Sequence, residues 1–221
     1  MSQYAECRNS YYERLASLAL AGLKRNNFTG YYVPDREAAR DLILSLIPTK
    51  ASVGFGDSVT VEEIGVIPFL RERKNLLYER YRAGITGPVP DDAKNKYLAL
   101  TADVFLTGVN AVTTKGQLVF VDGAGTRAGP VVFGPTRVVI VAGVNKIVRT
   151  VDEGLMRVRR IAAPLNARRH HRDALPCGLG AECQDCAGEE RMCCATVVLE
   201  YGYHQFTGRI HVILVGESLG F

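Results

Sequence analysis

The sequence predicts an α/β fold, a mostly parallel sheet with helices on both faces, carrying a cysteine-rich loop near the C-terminus. Three observations predict it. Short apolar runs alternate with amphipathic stretches of helical period, the pattern of strands joined by crossover helices. Several of those runs end in glycine, as in "SVGFG", "VFLTG", "FVDGAG" and "VIVAG", and open parallel sheets place turns and ligands at strand C-termini. Five of the six cysteines lie between 177 and 194, outside the alternation.

In chain order, residues 10–26 carry Leu15, Leu18, Ala19 and Leu23 at helical spacing, with Glu13, Arg14 and Lys24 elsewhere. An amphipathic first helix is expected there, preceded by Cys7. "TGYYV" (29–33) reads as a short strand, and Pro34 with Asp35 opens a helix through Ile47. "KASVGFG" (50–56) reads as a strand running into a helix that starts near Ser58 or Thr60. Thr60 and Glu63 have capping-box spacing, and Ile64, Ile67 and Leu70 supply an apolar stripe. "NLLYE" (75–79), "DVFLTGV" (103–109), "QLVFVDG" (117–123) and "RVVIVAG" (137–143) read as further strands, with helices at 91–100 and just after Gly125. A long helix from Thr150 to Ala163 precedes the cysteine loop, and "ATVVLEY" and "RIHVILV" close the chain as a final pair of strands. At 221 residues the expected organisation is one domain, 1–221, with an insertion at 176–194.

Composition excludes several classes. With 47% hydrophobic and 23% charged residues the chain is an ordinary globular protein rather than a disordered one. The N-terminus lacks the basic start, apolar core and cleavage site of a secretory leader, and no apolar run reaches membrane-spanning length, so a cytoplasmic location is expected. The net charge of +4 is modest, and the basic run at 157–172 reads as a solvated helix end. Without interleaved aromatics or a binding motif, nucleic acid is not an expected partner. His170 and His171 adjoin that run and His211 lies within a strand, so solvated or packed histidines are expected and none is nominated as a base. There is no G-x-S-x-G elbow, no P-loop and no complete G-x-G-x-x-G.

Two stretches carry chemistry. Cys177, Cys183, Cys186 and Cys193 follow the spacing C-x5-C-x2-C-x6-C. Four thiolates in so short a loop can converge on one metal centre, which would order a segment too polar and glycine-rich to fold by burial. Disulfides rank below a metal where no secretion signal is seen. Only Cys183 and Cys186 form a zinc-type knuckle, so the spacing favours an iron–sulfur cluster, with zinc as the alternative. Cys194 competes with Cys193; adjacent residues entering a strand face opposite ways, and register favours Cys193. The second stretch is a cleft at glycine-rich strand ends. Gly54, Gly56, Asp57, Ser58 and Thr60 form one loop, and Gly108, Asn110, Gly123, Gly125 and Arg127 another, with Asp122 the carboxylate best placed for acid–base work. Lys115 and Lys146 are its candidate partners, and the expected ligand is an anionic small molecule.

Taken together, "VGFGDSVTVEEIGV", "ADVFLTGVNAVTTKGQLVFVDGAGTR", "VVIVAGVNKIV", "RIAAPLNARR", "PCGLGAECQDC", "RMC" and "GRIHVILVGESLGF" resemble the LUD (lactate-utilisation) domain family from about residue 10 onward. The resemblance implies a fold like that of the ribose-phosphate isomerase, glucosamine-phosphate deaminase and CoA-transferase superfamily. It also implies a place in a multi-protein, iron–sulfur-containing system that oxidises L-lactate to pyruvate, here as a redox or accessory component holding one 4Fe-4S cluster and passing electrons to protein partners. The alternative is an enzyme or ligand-binding module acting on a phosphorylated or CoA-linked substrate, with structural zinc. Asn110 stands where the superfamily's sugar-phosphate isomerases carry a carboxylate, and an amide cannot serve as a general base. The isolated chain is therefore not expected to oxidise lactate without partner subunits.

Overall fold

The computed structural model describes residues 3–79, 92–180 and 182–221. Among these residues ten strands form two sheets. The larger has the order β1 (Thr29–Val33), β10 (Ile210–Val215), β7 (Arg137–Gly143), β4 (Val104–Gly108), β2 (Ser52–Phe55) and β3 (Leu76–Tyr78), and every pair in it is parallel. The central strands β4, β7 and β10 are buried along nearly their whole length and mostly apolar because both of their faces are covered.

Helix α1 (Gln3–Arg25) packs on one face, where Leu23, Phe105, Ile140 and Leu214 share a core. Helices α2 (Arg36–Leu46), α3 (Val59–Ile64) and α4 (Ile67–Glu72) cover the other, burying Ile43, Ile64 and Leu70 against Val53, Leu106 and Val139. Helix α2 starts as expected, with the Asp35 carboxylate accepting from Ala38 N–H. Helix α5 (Asp92–Leu98) matches the expected 91–100 helix, whose first residue lies outside the described residues.

The second sheet was not anticipated. It has the order β8 (Ile147–Val148), β5 (Ala111–Thr113), β6 (Leu118–Asp122) and β9 (Ala195–Leu199), mixing parallel and antiparallel pairs. The expected final pair of strands is therefore separated: β9 lies beside β6, whereas β10 lies between β1 and β7 of the larger sheet. Short apolar runs report burial and not partners, so only tertiary pairing could distribute them. Val112, Leu118 and Phe120 of the small sheet enter the same core as α1 and the larger sheet.

Three further expectations are corrected. Helix α1 begins at Gln3, so the exposed Cys7 lies within it and not ahead of it. Ser58, not Thr60, caps α3: its Oγ accepts from Val61 N–H, while Thr60 Oγ1 is taken by Lys146 and Glu63 accepts from Gly220 N–H. The long helix does not stop at Ala163. Thr150 caps α7 (Val151–Arg157), a π-helical turn spans Val158–Ala162, and α8 (Ala163–Arg169) continues. Pro164 has no N–H to give and its ring crowds the carbonyl one turn back, and the wider turn, with Ala163 N–H bonding Val158 C=O, accommodates it. Between α6 (Ala128–Val132) and the last strands, the short helix α9 (Pro176–Gly180) opens the cysteine loop. Among the described residues no helix is long and apolar enough to cross a membrane.

Candidate functional site

The chain leaves the larger sheet for the smaller one twice, at Val109–Asn110 after β4 and at Val144–Lys146 after β7. Each crossing opens the backbone at a strand C-terminus, where parallel sheets gather ligands. A cavity of about 680 Å³ lies there, bounded by Asp57 and Ser58 after β2, Gly108 to Asn110, Val121 to Ala124, Thr126, Arg127, Lys146, the π turn with α8, and the segment Glu189–Cys194. The buried Arg157 ties the two crossings together, Nη1 donating to Asn110 C=O at 3.0 Å and Nε to Asn145 C=O at 2.9 Å.

The floor is cationic. Lys146 is 3% exposed and donates from Nζ to Thr60 Oγ1 at 2.7 Å. Burial, followed by the charges of Arg157 and Arg127, pushes its pKa down from 10.5 to about 7. Arg127 donates from Nη2 to Val121 C=O and to Asn110 Oδ1, and its Nε lies 3.9 Å from Asp122 Oδ2. Asn110 Oδ1 also accepts from Val121 N–H at 2.9 Å, so the amide is used to lock the crossing. Asp122 accepts from the N–H groups of Arg127 and Ala128 through Oδ2, at 2.8 and 3.0 Å. Its carboxylate thus holds the turn before α6 while lining the cavity.

The rim was missed by sequence reading. The basic run at 157–172 is only partly a solvated helix end: Arg159, Arg160 and Arg168 are exposed, whereas Arg169, His170 and Arg172 line the cavity and Arg157 lies beneath it. Asp57 Oδ2 pairs with Arg169 and, at 2.9 Å, with His170 Nε2. Burial pushes the Asp57 carboxyl up, but the hydrogen bond to His170 and the charge and hydrogen bond of Arg169 outweigh it and hold the pKa at about 2. A depressed carboxylate stabilises the fold above its ordinary value of 3.8, and that contribution is lost as pH falls through about 2. Asp57→Asn is accordingly expected to cost about 2 kcal/mol at neutral pH, with a shallower loss of stability between those two pH values, read by urea unfolding. The signal for this cluster was the i,i+1 Arg-His pair itself, but nothing local to it points to Asp57, 113 residues away in sequence. His211 is packed as expected, with Nδ1 3.0 Å from Tyr31 Oη.

A second, smaller cavity of about 30 Å³ adjoins the first. Cys177, Cys183, Cys186 and Cys193 all line it, with Leu175, Asp185, Arg191 and Met192 around them. Arg191 braces the loop, donating to the carbonyls of Cys193 and Cys186 and to Asp185. Burial, then the neighbouring Cys183, Cys177 and Cys186, push the Cys193 thiol up to about 11, and Cys177 is raised by the same causes. Ionisation of Cys177 and Cys193 is thus opposed by burial and by the neighbouring thiols, which a bound cation would relieve. As a donor set the four suit a soft metal or an iron–sulfur centre. As they stand, among the described residues, no three or more His, Cys, Asp or Glu side chains are placed to hold a single metal ion. Cys194 faces away, its Sγ 3.3 Å from Arg191 C=O, and lines only the larger cavity, whereas Cys193 lines both.

Of the residues expected at the cleft, Asp57, Ser58, Gly108, Asn110, Asp122, Gly123 and Arg127 line the cavity. Gly54, Gly56, Thr60 and Gly125 do not. Gly54 and Gly56 are instead packing positions: a Cβ at Gly54 would lie 2.8 Å from Ala99, and one at Gly56 would lie 2.2 Å from Thr107 Oγ1. Thr60 lies beneath the floor as the partner of Lys146, and Gly125 supplies a positive φ of 75° in the turn before α6. Lys146 reaches the site; Lys115 instead packs its backbone against Gly22 of α1.

The chain is similar to a crystal structure of a DUF162 family protein from Deinococcus radiodurans, at 16% identity, covering 94% of this chain and 98% of that one with a TM-score of 0.48. No curated protein matches it. The family model for the LUD domain matches residues 17–215, which take in both sheets, the cationic cavity and the cysteine loop. The chain belongs to the LUD domain family.

Proposed function

We propose that this LUD-family chain is a redox or accessory component of organic-acid oxidation, L-lactate to pyruvate, carrying one iron–sulfur centre on Cys177, Cys183, Cys186 and Cys193. The observation that carries this reading is the shared wall. Cys193 lines both the thiol-ringed cavity and the cationic cleft, so a centre held there would lie beside whatever anion the cleft binds. Such a centre supplies one-electron transfer when bound. The chain's own residues do the rest. Arg127 offers positive charge to a carboxylate on the floor beside the buried Lys146 amine, Arg169 and Arg172 line the rim, and Arg191 braces the loop between cleft and thiols. Electrons would leave to a protein partner, because the chain carries neither a flavin nor a nicotinamide fingerprint.

Anaerobic purification followed by iron and acid-labile sulfide analysis tests the centre. Iron and sulfide are expected together, lost when Cys183 or Cys186 is replaced by Ser and retained in Cys7→Ser, since Cys7 lies in α1 far along the chain. A folded protein containing neither iron nor zinc would refute ligation.

The second reading, a small-molecule enzyme with a structural zinc acting on a phosphorylated or CoA-linked substrate, is favoured by one observation. Lys146 gives the floor a buried amine of a kind that proton transfer and covalent catalysis use. Zinc in place of iron, with turnover by the isolated chain, would decide for it.

A further inference from the structure

Lys146, on the turn after β7, is buried and lines the cavity. The Nζ hydrogen bond goes to a hydroxyl, Thr60 Oγ1, and not to a carboxylate. The charges whose fields reach it are Arg157 from α7, Arg127 from the turn before α6 and, in the opposite sense, Glu63 from α3. A desolvated lysine beside other cations is one of the established ways of keeping an amine nucleophilic. Gly220 passes directly over the pair, where a Cβ would lie 3.1 Å from Nζ and 2.4 Å from Thr60 Oγ1, so the amine is held from behind by bare backbone.

We propose that Lys146 is a covalent nucleophile of the cleft, its Nζ condensing with the carbonyl of an oxo carboxylate whose carboxylate is paired by Arg127. The two functional groups of the ligand follow from the two side chains. An unprotonated amine reacts with a carbonyl, and a guanidinium prefers a carboxylate. Arg127 is fixed for that role by Val121 C=O and Asn110 Oδ1. With a pKa near 7, much of the Lys146 amine is uncharged at neutral pH. The proposal rests on the anion-binding reading of the cleft and adds the substrate class.

The step balances within the site. The Nζ lone pair forms a bond to the carbonyl carbon while the C=O π pair moves to oxygen, and a proton passes from nitrogen to that oxygen. The resulting carbinolamine loses its hydroxyl together with the second amine proton as water, leaving a C=N bond. No electrons are exchanged and no co-reactant is consumed. Thr60, hydrogen-bonded to Nζ, is the positioning residue and offers a hydroxyl for the proton shift.

The full chain is incubated with pyruvate and sodium borohydride, which delivers hydride to the imine carbon and makes the bond permanent, and the adduct is located by peptide mass spectrometry. The adduct is expected on Lys146 in large excess over exposed lysines such as Lys50, to be lost in Lys146→Arg, and to need more pyruvate in Arg127→Met. Localisation in the wild-type chain does not depend on any variant folding. Adduct spread evenly over surface lysines, or unchanged yield in a folded Lys146→Arg, would overturn the proposal. Calorimetry with pyruvate separates the two levels: binding without an adduct removes the nucleophile and leaves the anion cleft, whereas absence of binding removes both.

Discussion

Replacing Lys146 with methionine is expected to stabilise the fold at neutral pH, by on the order of a few kcal/mol, while destroying the chemistry of the cleft. The unfolded chain keeps the lysine proton up to the ordinary value of 10.5, whereas the folded chain releases it near 7. Between those values unfolding takes up a proton, so wild-type stability should climb as pH rises and be lower at pH 7 than at pH 10 for this group alone. Methionine fills similar space without a charge to desolvate, and loss of the hydrogen bond to Thr60 offsets the gain by about 1 kcal/mol. Urea unfolding at a series of pH values reads both the higher midpoint and the missing slope. A variant less stable than wild type at pH 7 would mean that the amine is charged and compensated in the folded protein.

The second large effect concerns two glycines that look alike in sequence. Gly56→Val should lower stability by about 3 kcal/mol or more, because even the first added carbon would lie 2.2 Å from the Oγ1 of the fully buried Thr107, 2.9 Å from its Cβ and 3.1 Å from Arg127 Cγ. Any loss of ligand binding in that variant follows from disturbed packing and a displaced Arg127. Gly123→Ala is the cleaner probe of the cleft. Its Cβ would meet only Met192 C=O, at 3.3 Å, and Gly123 lines the cavity. Near-native urea unfolding with weakened binding of an anion such as pyruvate is expected for Gly123→Ala. Equal melting behaviour of Gly56→Val and wild type would show that β2 and β4 can separate without cost.

The cysteine loop was the most legible part of the candidate site. The four positions chosen by spacing and register share one small cavity, and Cys194 turns away. They lie near one another because a short loop limits how far its thiols can separate. The glycine-rich cleft was half legible. Strand-end glycines pointed to the cavity, since β2, β4 and β6 end there, but could not distinguish a glycine that opens the cavity from one that lets strand and side chain approach beneath it. The rim was not legible. Asp57, Arg169 and His170 come together because the helix runs on through a π turn and past Pro164 as α8, where the sequence reading ended it at Ala163.

By itself the sequence determined the alternation of strands and helices, the parallel larger sheet, the cysteine constellation and the family, because each is carried by local period, chain spacing or a run of motifs. Only the tertiary structure decided that there are two sheets, that β9 and β10 part company, and that Lys146 is a desolvated amine rather than a surface lysine. Pairing and burial depend on what lies opposite a residue in space. For Lys146 what lies opposite is Thr60, Arg157, Arg127 and the backbone of Gly220, none of them a near neighbour in the chain.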